Sequence, residues 1–169
     1  MKLIEAMKQI KDLQRKAEDL RTKVSSASAL TTVDTPVYPD QKGKVSEWVQ
    51  GHSDILKEIL RLRTAIQRTN LATQVTIELG EKQVTKSIAE WIHRRRDFAK
   101  MEREMWSKLT DRGLKEGMVN TPGGQTVEMK IVRFYDPVER DKNIDLYTSE
   151  PSKVDARLEV INAITDLME

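Results

Sequence analysis

The chain has no cysteine, only two histidines and eight aromatic residues among 169, and no long apolar run. Each absence removes a class of proteins. Without cysteine there is no disulfide framework and no thiolate chemistry, and a reducing compartment is compatible. His52 and His93 are far apart in sequence and have no cysteine companions, so no zinc-ligand spacing exists. No window approaches the roughly 18 apolar residues that a membrane-spanning helix needs. Charges interrupt the first ten residues, Met-Lys-Leu-Ile-Glu-Ala-Met-Lys-Gln-Ile, so no signal-peptide core is read there. These readings together lead us to expect a soluble, cytoplasmic-type protein with no membrane contact.

What is present is charge and helix-forming sequence. Apolar residues make up 38% and charged residues 33%, a balance suited to bundles and coiled coils rather than to a thick core. The net charge of +2 is too small for a general polyanion binder. Its distribution is uneven. Residues 1–25 carry seven basic against four acidic side chains, and residues 134–169 carry four against nine. Such asymmetry can steer one end of the chain onto the other, within a molecule or between copies.

Two heptad-like seams stand out. The first has Leu3, Met7, Ile10, Leu13, Ala17, Leu20 and Val24 at steps of three and four, with Lys8, Asp12, Arg15 and Glu18 between them. The second has Val45, Trp48, His52, Ile55, Ile59, Leu62 and Ile66 at the same steps. A polar linker with Pro36, Pro39 and Gly43 separates them, so an antiparallel helical hairpin is the default arrangement. The first helix cannot stand alone, because backbone entropy over its length outweighs what one apolar stripe returns. The seam residues are therefore predicted to meet partner helices, in the same chain or in another copy.

Beyond residue 74 the period changes. Val75, Ile77 and Leu79 alternate with polar residues before Gly80, which predicts a short β-hairpin or extended turn. Ser87 with Glu90 reads as a capping box opening a third helix to about Leu114. Thr126–Tyr135 is the best strand candidate, with Ile144–Thr148 as its return strand. Pro151 is then expected in the first turn of a final helix that buries Val154, Leu158, Ile161, Ile164 and Leu167. The predicted fold is mainly α: a long antiparallel helical hairpin or bundle with a small β-hairpin element. Residues 1–114 would form the hairpin and third helix, 115–150 the β element, and 151–169 a helix packing back, in one domain.

Candidate chemistry is sparse. His52 occupies a seam position, which points to a structural or interface role. The run His93-Arg94-Arg95-Arg96 could contact phosphates, but Asp97, Glu102 and Glu104 favour an ion-paired helix face. Carboxylates are plentiful without a catalytic setting, and Gly123-Gly124 lacks the strand–loop–helix context of a phosphate loop. No cofactor or metal is implied, and no enzymatic activity is expected. Asn70 ends the second seam and Asn162 lies between Ile161 and Ile164. Both are candidates for polar residues that fix helix register, against helix termination and surface exposure respectively.

A resemblance enters at these residues. The order is Met-Lys-Leu-x-Glu-Ala at the start and Ile66-Gln67-Arg68-Thr69-Asn70-Leu71-Ala72-Thr73. Then come Thr85-Lys86-Ser87-Ile88-Ala89-Glu90 with Arg96-Asp97, and Val154-Asp155-Ala156-Arg157-Leu158 with Asn162 and Asp166-Leu167. This resembles the small bacterial helical family that carries the name septicolysin, whose biochemical function is not established. The stretch Gly117–Asp145 looks elaborated relative to that pattern, and Ala163 stands where an aromatic is expected. The residues and the resemblance together predict a helical assembly or scaffolding protein whose partner is itself, or possibly other structural proteins. A virion subunit docking on bacteriophage capsid or tail proteins is the alternative, and nucleic acid is the least favoured partner.

Overall fold

The computed structural model of the chain describes residues 1–168 and is mostly helical with two small β-hairpins. Its elements are α1 (Leu3–Ala27), α2 (Gln41–Ala72), β1 (Gln74–Leu79), β2 (Lys82–Ser87) and α3 (Ile88–His93). A π-helical turn (Arg94–Phe98) follows, then α4 (Ala99–Trp106), β3 (Gly117–Asn120), β4 (Thr126–Met129) and α5 (Pro137–Ile164). Chain contacts divide these into two compact units. Unit one holds Met1–Gln74, Ser87–Ala89 and the chain from Leu158 on; unit two holds Val75–Lys86 and Glu90–Arg157.

In unit one, α1 and α2 pack together through their seams. Ala6, Ile10, Ile59 and Leu62 form the buried cluster, with Leu13, Ile55, Ile66 and Leu167 against it. At the other end of α1, the Gln41 side chain donates to the Ala27 carbonyl at 2.9 Å, so the two helices run in opposite directions. Asp40 caps α2 by accepting from the Gly43 N–H at 2.9 Å, satisfying a donor that helix geometry leaves open. The residues after α5 close back on the start of the chain. Leu3 N–H donates to the Thr165 carbonyl, Leu167 N–H to the Met1 carbonyl, and Met168 N–H to the buried Thr69 hydroxyl. Lys2 adds an ion pair with Asp166 at 2.8 Å, which lowers the Asp166 pKa.

In unit two, β1 turns into β2 at Gly80, whose φ of +64° lies in the left-handed region open to glycine. Val75 and Ile77 are buried and their neighbours exposed, the alternation expected of a half-buried strand. Trp91 is wholly buried and its indole N–H donates to the Val75 carbonyl at 2.9 Å. In the π-helical turn the Ala99 N–H reaches back to the Arg94 carbonyl, five residues away.

Several sequence expectations need correction. The helix predicted to reach Leu114 stops at Trp106, and the left-handed φ of Arg112 and Gly113, 58° and 72°, excludes any helix through those two residues. The strand at Thr126 pairs with Gly117–Asn120, not with Ile144–Thr148. The turn at 121–125 closes a loop of a few residues, cheaper in entropy than the longer return by about 1 kcal/mol. Ile144–Thr148 lies in α5, which begins at Pro137 and carries Pro151 in its interior. Asp136 accepts from the Val138 N–H at 2.9 Å and starts the helix there, and Pro137 takes the first-turn position expected of Pro151. Val154, Leu158 and Ile161 are buried as expected, whereas Ile164 is exposed and Leu167 lies past the helix end.

Candidate interaction surface

The predicted interface residues fall into two groups. Leu3, Ile10, Trp48, Ile59 and Leu62 are buried within the single chain. Met7, Leu13, Leu20, His52, Ile55 and Ile66 are half-buried along the same α1–α2 seam. His52 shares a shallow apolar groove with Leu20, Val24 and Val49, so the seam places it at the rim and not in the sealed core. Asn70 and Asn162 are both half-buried, and each holds its Oδ1 away from solvent with no donor in reach. Neither is simply exposed.

The basic run at residues 93–96 is engaged by carboxylates. Glu150 is fully buried and grips Arg94 bidentately, at 2.6 Å to Nε and 2.7 Å to Nη2. Arg94 also lies 3.7 Å from Glu102, and its guanidinium sits 5.6 Å over the Tyr147 ring. The hydrogen bond to Glu150 raises the Arg94 pKa despite partial burial. Desolvation leads, with nearby carboxylates, in raising that of Tyr147. Arg95 pairs with Asp155 at 2.7 Å and Arg96 with Asp97 at 3.1 Å. Glu150 was not legible as a partner: it sits 56 residues from Arg94, and nothing local marks it.

A second network ties the segment after α4 to the start of α5. Asp111 accepts from Arg133 at 2.8 and 2.5 Å and from the Tyr135 hydroxyl at 2.7 Å. Those bonds, Arg133 first, pull the Asp111 pKa down to about 2. Arg133 is raised in turn and Tyr135 is raised by the same carboxylate. Carboxylates held ionised by guanidiniums are poor general bases near neutral pH, so these pairs read as structural. An open cleft of about 590 Å³ lies between the β1–β2 turn and α5, lined by Leu79, Gly80 and Leu146 with lysines and carboxylates of mixed sign. Among the described residues no group of three His, Cys, Asp or Glu could hold a metal ion. No helix is long and apolar enough to cross a membrane.

What remains is apolar surface on unit two. Phe98, Met101 and Met105 recur at steps of three and four, which places them on one helical face, and all are exposed. Both strands of the β3–β4 hairpin are exposed throughout. Its register sets Val119 opposite Val127 and Gly117 opposite Met129, so Val119, Val127 and Met129 share one face. Phe134, just beyond, is 98% exposed. Unit one also exposes Val49, Leu56 and Leu60 on α2, at steps of seven and four on one face of that helix, beside a buried seam. The hairpin has no buried face of its own. The strand at Thr126 was visible in the sequence; its partner Gly117–Asn120, four residues with no apolar alternation before the glycine-rich turn, was not.

Comparison with known proteins adds the family. A family of unknown function, DUF6847, matches residues 10–167. The chain belongs to that family. A functionally unknown conserved protein from Corynebacterium diphtheriae, solved as a crystal structure, is similar at 24% identity over 99% of each chain, with a TM-score of 0.56. That likeness concerns the fold. No curated protein matches the chain.

Proposed function

We propose that this chain is a non-enzymatic helical assembly protein that works by packing against further copies of itself. The observation that supports the reading best is the β3–β4 hairpin, exposed on every strand residue and carrying Val119, Val127 and Met129 on one face. A lone two-stranded hairpin is marginal in water, and three or more strands or a covering element are needed to hold it. The exposed methionines at 101 and 105 add adaptable apolar side chains on a helical face, also suited to a protein contact.

In this reading the α1–α2 pair is a long antiparallel hairpin that serves as the rigid bundle part, its seams largely occupied within the chain. The ion pairs of Arg94, Arg95 and Arg96 argue against a phosphate-binding role for the basic run. The likeness to the family called septicolysin belongs to the same proposal and adds no activity to it. Light scattering at micromolar concentration tests it. The expected mass is a multiple of 19.5 kDa; a monomer at every concentration, melting cooperatively, overturns the proposal.

A further inference from the structure

We propose that the outer edge of β4 is a self-recognition edge, on which a second copy adds its own β4 antiparallel with Met129 opposite Met129. The inference rests on the assembly reading above and names its contact.

The backbone phase comes first. Thr121 N–H donates to the Gln125 carbonyl at 2.8 Å, so that pair is hydrogen-bonded across the hairpin. Hydrogen-bonded and non-hydrogen-bonded pairs alternate along an antiparallel ladder, so 119–127 and 117–129 face inward. The N–H and C=O groups of Thr126 and Glu128 therefore turn outward. Lys130 continues the phase, because the next N–H, of Ile131, turns back to Glu116 Oε1 at 3.1 Å. Among the described residues no third strand takes up this edge.

The side chains then select the register. Val127-Glu128-Met129-Lys130-Ile131 is complementary to its own reverse. With Met129 at the twofold axis, Glu128 lies opposite Lys130 of the second copy, and Val127 opposite Ile131. Glu128 and Lys130 both present outward backbone groups, so each such pair can exchange two hydrogen bonds. A slip of two residues sets Glu128 against Glu128 or Lys130 against Lys130. A slip of one breaks the backbone phase. Charge and hydrogen bonding thus agree on a single register, and the product is a four-stranded sheet with a doubled apolar face. The strand carries neither proline nor a bulge; it is only four residues long and charged at Glu128 and, just past its end, Lys130, and in the twofold register those charges attract rather than repel.

A chain without cysteine allows a direct test by single substitutions. Met129→Cys brings two thiols together in a non-hydrogen-bonded pair, with Cα atoms about 4.5 Å apart and within disulfide reach. Val127→Cys leaves its symmetry mates roughly 13 Å apart, four residues along the strand. Under mild oxidation Met129→Cys should form covalent dimer at least about tenfold faster than Val127→Cys. Glu128→Lys or Lys130→Glu alone should weaken association about tenfold, and the double reversal should return it to within about twofold of the parent. All these residues are exposed, so unchanged helical circular dichroism checks that the variants fold. Equal cross-linking of both cysteine variants, or association indifferent to the single reversals, overturns the edge pairing while the assembly reading stands. A parent chain that stays monomeric overturns both.

Discussion

In unit one, Ala6, Ile10, Ile59 and Leu62 are buried against one another, and the chain ends close onto α1 through Leu3, Thr165 and Leu167. In unit two, Met101, Met105, Met118 and Phe134 face solvent, while Val75, Ile77, Trp91, Ala99 and Val154 are buried, as is the Glu150 partner of Arg94. One unit satisfies its apolar side chains internally along two regular seams. The other adds polar links across long sequence separations to a small apolar core and leaves apolar surface open. The difference locates folding strength in the first and opportunities for contact in the second.

The sharpest test of that contrast is Arg94→Ala. It leaves the Glu150 carboxylate fully buried without its bidentate partner, and removing one member of a buried pair costs about 3–5 kcal/mol. Chemical denaturation should show that loss. Replacing both residues, as Arg94→Met with Glu150→Leu, should recover most of it, since a well-packed apolar pair often does as well. A loss below about 1 kcal/mol for Arg94→Ala would mean that unit two does not depend on this pair.

Leu62→Ala probes the other side of the comparison. Leu62 has no exposed surface and lies in the α1–α2 cluster, so its truncation should destabilise by about 2–5 kcal/mol. Hydrogen exchange should then show faster opening of α1 and α2 amides first. Uniform acceleration across α4 and β3–β4 would instead mean that the two units unfold as one.

Asp111 gives a smaller effect with a defined pH window. Its folded pKa is depressed from 3.8 to about 2, so its contribution is fully present above 3.8 and fades as pH falls toward 2. Asp111→Asn should flatten that part of the Tm-against-pH curve and leave the curve above pH 5 parallel to the parent. If both proteins lose stability identically between pH 4 and 2, the Arg133–Asp111–Tyr135 network contributes nothing to folding.

The smallest expected change in stability is at Phe134→Ser. With the ring 98% exposed, monomer stability should move by less than about 0.5 kcal/mol, since no packing is lost. Any effect should fall on association. A large drop in Tm at concentrations where the chain is monomeric would show that the ring is covered within its own chain.

Legibility followed range. The steps of three and four through Leu3–Leu20 and Trp48–Ile66 announced α1 and α2 and chose their inward faces, because a helix repeats every few residues and needs no distant information. The alternation at 74–79 did the same for β1. Element ends were harder. The third helix was read too far past Trp106, through the left-handed Arg112 and Gly113, and the start at Pro137 depends on the Asp136 cap, where two prolines competed for one role. The candidate surface was legible only in part. Met101 and Met105 have the spacing of an inward helical face and are exposed.

By itself, then, the sequence determined a mainly α chain, two amphipathic helices with their seams, and a strand at Thr126, all consequences of local backbone periodicity. Tertiary structure decided the rest. It chose Glu150 for Arg94, Thr165 for the Leu3 amide, and Thr69 for the Met168 amide, pairings between residues far apart in the chain. It also decided which apolar residues stay in water. A side chain's periodicity tells which way it points from its own backbone, whereas burial depends on whether another element arrives to cover it. For the β3–β4 hairpin, none does within the described chain.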